Sequence, residues 1–191
     1  MGLIEKLRRT NNRICPWWLC YSFDNPLRRI FHKPEPLLAP YLKPGMIAVD
    51  IGCGMGYFTL GLAKLAGSGG RVIAVDLQQR MIDALERRAR RAGVADRILF
   101  HRCRPDSLGV EGPVDFALAI WMAHEVPDKP RFFREIFALL KTGGRLLLVE
   151  PKFHVTLRSL ERTLAVCREA GFRALKEPAI ALSRAVLMGK E

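Results

Sequence analysis

The sequence predicts an α/β fold, a mostly parallel sheet covered by helices on both faces and closed by an antiparallel last strand. After residue 45, short apolar runs alternate with segments of helical periodicity. Strands that alternate with helices build a parallel sheet, and both faces of that sheet are then buried. The last two strand candidates are joined by only a few residues, which forces them to pair antiparallel.

Strands are expected at 46–51, 71–75, 97–102, 114–120, 144–150, 172–178 and 183–189, with helices near 56–67, 78–92, 129–141 and 155–170. The first strand is the apolar run from Met46 to Ile51, and the second is Arg71-Val72-Ile73-Ala74-Val75. Ser68-Gly69-Gly70 and Thr142-Gly143-Gly144 stand where helices should stop. No internal repeat or low-complexity linker interrupts the pattern.

A chain of 191 residues is one domain by length and can bury a sizeable core. No apolar run reaches the ~18–20 residues needed to span a bilayer, and the start shows neither a signal peptide nor a myristoylation pattern. Five cysteines (Cys15, Cys20, Cys53, Cys103 and Cys167) are an odd number without a disulfide framework, which points to a reduced, cytoplasmic setting. The net charge is +12, and residues 1–44 hold eight Lys/Arg against three Asp/Glu. Such a balance favours nucleic acid, anionic membrane surfaces or acidic substrates, or it is a solvated basic surface.

The most informative stretch is Val49-Asp50-Ile51-Gly52-Cys53-Gly54-Met55-Gly56-Tyr57-Phe58, a strand turning into a helix across glycines. Asp76 closes the second apolar run twenty residues after Gly56. A glycine turn at one strand tip and an acid at the next describe a pocket for an adenosine-type cofactor. Glycine lets a ligand approach the backbone, the helix start offers free N–H groups, and the acid accepts from ribose hydroxyls. A dinucleotide fingerprint would space its glycines G-x-G-x-x-G for a pyrophosphate, yet Tyr57 occupies the third glycine's place. An acid two residues before the first glycine would repel a pyrophosphate and suit an ammonium group.

Asp50-Ile51-Gly52-Cys53-Gly54-Met55-Gly56 resembles motif I of the class I S-adenosylmethionine-dependent methyltransferases. The resemblance continues through Val114–Ile120 and Leu139–Pro151 and covers roughly residues 45–191. It implies a Rossmann-like, doubly wound seven-stranded sheet with strand 7 inserted between strands 5 and 6, and S-adenosyl-L-methionine as cofactor. It further implies that Asp50 bears on the methionine end, that Asp76 holds the ribose and that Leu77 flanks the adenine. Cys53 and Tyr57 belong to the same turn as Gly52, Gly54 and Gly56. Cys103 and Arg104 follow strand 3, and Arg104 stands where family members usually place an acid that accepts from the adenine amino group. In place of that acid, either Asp106 in a shifted loop or backbone groups alone are expected to read the adenine.

Strand 4 ends at Ile120-Trp121-Met122-Ala123-His124, the lip where acceptors meet the methyl group in this family. His124 is the candidate general base, with helix capping or packing under the sheet edge as the other role for it. Trp121 is expected against cofactor or substrate. The lip lacks an Asn/Asp-Pro-Pro-Tyr/Phe segment and a Pro-Cys dipeptide, and no Lys-Asp-Lys-Glu set is present, so nothing beside the basic charge speaks of nucleic-acid chemistry.

Residues 1–44 fall outside the alternating pattern, so two units are expected: an aromatic, basic arm (1–44) and the methyltransferase domain (45–191). The connections after residue 45 are short, so the arm is expected to supply the lid, with Trp17, Trp18, Tyr21, Phe23 and His32 joining Trp121 and His124 at the acceptor. Three functions follow. The first is methyl transfer to a small, largely apolar acceptor, quinone- or lipid-like or a soft thiol or metalloid taken by Cys15 and Cys20. The second is a nucleic-acid-modifying or nucleic-acid-binding protein, and the third a non-catalytic regulator that binds the cofactor. No metal is expected.

Overall fold

The computed structural model describes residues 31–191. After a short helix α1 (Pro34–Leu38), the chain runs β1 (Ile47–Ile51), α2 (Thr59–Ala66), β2 (Arg71–Asp76), α3 (Gln79–Arg91), β3 (Ile98–Arg102), β4 (Val114–Ile120), α4 (Lys129–Leu139), β5 (Leu140–Pro151), α5 (Leu157–Glu169), β6 (Arg173–Lys176) and β7 (Ser183–Gly189). The seven strands form one sheet in the order β3-β2-β1-β4-β5-β7-β6. Pairing is parallel from β3 through β5, and β7 runs antiparallel to both β5 and β6. The doubly wound sheet with strand 7 between strands 5 and 6 is therefore present.

Alternation along each strand sorts the core into two clusters, because neighbouring side chains leave opposite faces of a sheet. Ala48, Val72, Ala74, Phe116, Leu118, Leu147 and Leu187 face one way and pack with Leu38, Leu62 and Leu85 of α1, α2 and α3. Val49, Ile51, Ile73, Ala117, Leu146, Leu148 and Val186 face the other way and pack with Phe133, Ile136 and Leu160 of α4 and α5. The central strands are buried on both faces, which is why they read as continuous apolar runs.

Two boundaries differ from the periodicity, and each has a local cause. Helix α2 begins at Thr59 rather than near 56, because Gly52–Phe58 is spent on the turn that leaves β1. Thr142-Gly143-Gly144 lies inside β5 instead of ending α4 ahead of it. The stretch bulges there, since Val114 pairs with Leu140 but Phe116 already pairs with Arg145. Gly143 N–H donates to the Lys190 carbonyl at 2.7 Å, which keeps the bulge on the sheet. Helix α1, unmarked in the sequence pattern, packs on α2, with Leu38 fully buried and Glu35 accepting from Lys64 at 2.9 Å.

Candidate functional site

The C-terminal ends of β1, β2 and β4 border a cavity of about 350 Å³. Crevices beyond the carboxyl ends of parallel strands are where open α/β sheets hold ligands. Gly52, Gly54, Asp76, Leu77, Cys103, Arg104 and Trp121 line it.

The turn after β1 is folded against β2. Gly52 and Cys53 N–H both donate to the Val75 carbonyl, at 2.8 and 3.0 Å. Gly54 has φ +53° and no atom within 4 Å of where a Cβ would stand, so its backbone is open to a ligand. Gly56 serves packing instead, because a Cβ there would sit 2.0 Å from Leu85 Cδ1 on α3. Asp76 is 8% exposed and uses both carboxylate oxygens on backbone: Gly54 N–H donates to Oδ2 at 2.9 Å and Gln78 N–H to Oδ1 at 2.8 Å. Each oxygen keeps a second lone pair for a hydroxyl. Burial pushes the Asp76 carboxyl above its usual range, against the pull of the backbone N–H groups.

Asp50, also buried, accepts from Thr59 Oγ1 at 2.6 Å, which joins β1 to the start of α2; it is not among the cavity-lining residues. Neither are Cys53, Gly56 and Tyr57. Tyr57 Oη donates to the His32 carbonyl at 2.7 Å. Burial raises the Cys53 thiol well above its ordinary value and, helped by the Asp76 charge, raises Cys103 to about 11. Both are therefore neutral thiols near neutral pH. Cys53, Cys103 and Cys167 are all free.

After β3, Arg104-Pro105-Asp106-Ser107 folds into a tight turn in which Arg104 and Ser107 exchange backbone hydrogen bonds at 3.0 and 3.3 Å. This turn sets both Arg104 and Asp106 on the cavity wall. Glu135 of α4 anchors it by accepting from Leu108 N–H at 2.7 Å and from Arg131 Nε at 3.1 Å. The α4 side of the wall, with Arg131, Phe132 and Glu135, carries no signal in the sequence. Strand tips can be located from apolar runs, but which helix face closes over them depends on packing.

Trp121 forms the opposite wall. It has φ +57°, a conformation costing roughly 1–2 kcal/mol for a residue with a side chain. Three contacts hold it there: its N–H donates to the Val149 carbonyl at 2.8 Å, its Nε1 donates to Ser183 Oγ at 2.9 Å, and its ring meets Phe153 edge-on at 5.6 Å. His32, 3% exposed, contacts the same ring at 5.4 Å and lies 2.8 Å through Nε2 from the Ala181 carbonyl. His124 follows β4 in a single 3₁₀ turn and does not line the cavity. Its Nδ1 lies 2.7 Å from Glu150 Oε2 and its Nε2 lies 2.8 Å from His154 Nε2. Trp17, Trp18, Tyr21 and Phe23, with Cys15 and Cys20, lie outside the described residues. Among the described residues no group of three metal-ligating side chains gathers, and no helix is long and apolar enough to cross a membrane.

The cavity suits S-adenosylmethionine: open glycine backbone at Gly54, a buried acid with spare lone pairs at Asp76, apolar Leu77 and Met81 beside it, and no arrangement for a pyrophosphate. That cofactor supplies an activated methyl group, so the protein has to bind, orient and exclude water rather than generate a nucleophile. Asp76 would hold the ribose and the Gly52–Gly54 backbone the amino-acid end.

Comparisons with known proteins agree. A family described as a methyltransferase domain matches residues 42–177. The chain is 28% identical over 109 residues to the ubiquinone/menaquinone biosynthesis C-methyltransferase UbiE of Vibrio vulnificus, covering 56% of this chain and 42% of that one. It is 32% identical over 111 residues to the 2-phytyl-1,4-naphtoquinone methyltransferase of Synechococcus elongatus, covering 56% and 47%. The chain thus spans less than half the length of these relatives. Among solved structures, a SAM-dependent methyltransferase from Aquifex aeolicus superposes with a TM-score of 0.84 at 21% identity, over 93% of this chain and all of the other. An O-methyltransferase from Thermotoga maritima shares the fold at a TM-score of 0.65 and 24% identity, over 83% and 64%. With its motif I turn, its strand order and a family match over most of its length, the chain belongs to the class I S-adenosylmethionine-dependent methyltransferases.

Proposed function

We propose that this enzyme methylates a small, largely apolar acceptor of the quinone or lipid type that enters beside Trp121. The observation that carries this reading is the character of the rim. Phe31, Phe153 and Leu182 are more than half exposed, and Phe153 meets the Trp121 ring. Phe153 touches the indole, Phe31 precedes His32, and the Leu182 carbonyl accepts from Lys152 N–H at 2.9 Å. An exposed aromatic ring against the tryptophan of the cavity wall suits an apolar ligand. The relatives named for quinone methylation support the same acceptor class. Thiol and metalloid acceptors belong to the same proposal through Cys15 and Cys20.

The test uses methyl-labelled S-adenosylmethionine with a reduced naphthoquinone, thiophenol and bulk RNA as probes. Label in the naphthoquinone is expected. Label in RNA alone would replace this reading with the nucleic-acid alternative, for which the +12 charge speaks. We assign the arm the role of lid: removing residues 1–30 is expected to spare S-adenosylhomocysteine binding and abolish turnover, and retained turnover refutes that role. We place the enzyme in the cytoplasm, where its three described free thiols stay reduced. Anionic vesicles in a salt series would show whether the basic surface also meets a membrane.

A further inference from the structure

We propose that His154 is the outer, proton-accepting end of a Glu150–His124–His154 relay that reaches the surface beside Phe153, the ring that abuts the Trp121 wall. The proposal rests on the reading above, in an acceptor that sheds a proton on methylation, and it adds a residue to which nothing in the sequence motif pointed.

The relay starts in the core. Glu150, at the end of β5, is 1% exposed, and its Oε1 is buried with no hydrogen-bond partner among the described residues. A buried carboxylate with an unused oxygen is costly unless a positive charge forms beside it. Its Oε2 is 2.7 Å from His124 Nδ1, and His124 Nε2 is 2.8 Å from His154 Nε2, with the two rings 4.5 Å apart. The carboxylate requires a proton on His124 Nδ1, which leaves a lone pair on its Nε2. A contact of 2.8 Å onto that lone pair requires His154 to donate from its own Nε2. The Nδ1 of His154 is then the free lone pair, on an exposed residue. Phe153 holds the ring at 4.9 Å and itself abuts Trp121, the wall of the cavity.

The acceptor X–H bond breaks as its proton goes to His154 Nδ1, and the electron pair left on X forms the new X–CH₃ bond. The pair of the broken methyl–sulfur bond stays on sulfur, so the positive charge leaves the sulfonium. The Nε2 proton of His154 passes to His124 Nε2, and the resulting imidazolium lies against Glu150. Charge and protons balance without any further reactant.

The charged groups around His154 are Glu150 and His124, Glu125 with Oε1 3.9 Å from His124 Nε2, Lys152 and Arg158 nearby in sequence, and Arg184, whose Nη1 donates to the Val155 carbonyl at 2.8 Å. Partial burial and the His124 charge hold His154 below the usual imidazole value, against the pull of Glu150. A neutral imidazole near pH 7 is the form that accepts a proton.

Ring ¹⁵N NMR of the full chain across pH tests the relay without any acceptor. The expected result is a His154 titration whose midpoint falls in Glu150→Gln, because the pull of Glu150 is lost. A His154 midpoint that ignores Glu150→Gln would overturn the proposal. His154→Gln, at an exposed position that does not threaten folding, should move the His124 Nε2 resonance by removing its ring partner and leave S-adenosylhomocysteine affinity unchanged by calorimetry. If the wild-type chain binds no S-adenosylhomocysteine, the methyltransferase reading fails and takes the relay's role with it. Binding with a His154 midpoint unmoved in Glu150→Gln sinks the relay alone. With a methylated probe, His154→Gln should lower kcat about 100-fold at unchanged KM for S-adenosylmethionine and remove the acid limb of the pH profile; an unchanged kcat overturns the proposal.

Discussion

The donor half of the cavity, on β1, β2 and β3, is held by backbone, whereas the acceptor rim, on β4, β5 and β7, is held by side chains. Asp76 takes N–H groups from Gly54 and Gln78, and the Val75 carbonyl takes two more from Gly52 and Cys53. Across the cavity, Trp121 stands on an indole–hydroxyl bond to Ser183 and on edge contacts with His32 and Phe153, and His124 stands on Glu150 and His154. The difference teaches how one fold serves many acceptors. A cofactor site made of backbone tolerates little change, while a rim of side chains can be rebuilt one residue at a time.

The contrast is broken most directly at Gly56. Gly56→Ala places a Cβ against Leu85 at positive φ, and should cost about 2–4 kcal/mol of stability in denaturant unfolding. Next, Asp76→Ala leaves two backbone N–H groups and the ribose poorly paired, and should weaken S-adenosylhomocysteine binding by about 1–3 kcal/mol in calorimetry. On the rim, Trp121→Phe removes the Nε1 bond to Ser183 and should cost about 1 kcal/mol of stability with cofactor affinity nearly unchanged. A large loss of affinity there would erase the division between the halves.

The smallest effect concerns Asp115, distant from both. Burial pushes its carboxyl up, but Ile47 N–H at 2.8 Å and Lys141 Nζ at 2.6 Å outweigh it and hold the group below the usual range. A depressed carboxyl contributes stability above its unfolded value that is lost as pH falls through the folded one. Asp115→Asn should therefore narrow the stability gap between pH 7 and acid by less than about 1 kcal/mol, read as Tm against pH.

Legibility in the sequence followed the same line. Gly52, Gly54 and Asp76 were readable because a strand, a turn and an acid at fixed spacing are local, and the family resemblance adds Leu77, Cys103 and Arg104. All six line the cavity. The resemblance assigns Asp50 to the methionine end, and its Oδ2 accepts from Thr59 Oγ1 at 2.6 Å. His154 left no trace, because its partner His124 is 30 residues away in the chain, beyond the end of β4. Glu135 and Arg131 were equally silent, since their place on the wall depends on where α4 lies over the sheet.

The sequence alone therefore specified the alternating α/β architecture, the donor class and the strand-tip residues that line the cavity. Period-two burial and glycine spacing act within a few residues of chain, so they can be read along it. Tertiary structure alone decided the rim: that Trp121 is locked at positive φ, that Met122 covers Gly52, and that a buried Glu150 reaches the surface through two imidazoles. Those contacts join β1, β4, β5 and β7, whose relative positions exist only once the sheet has closed.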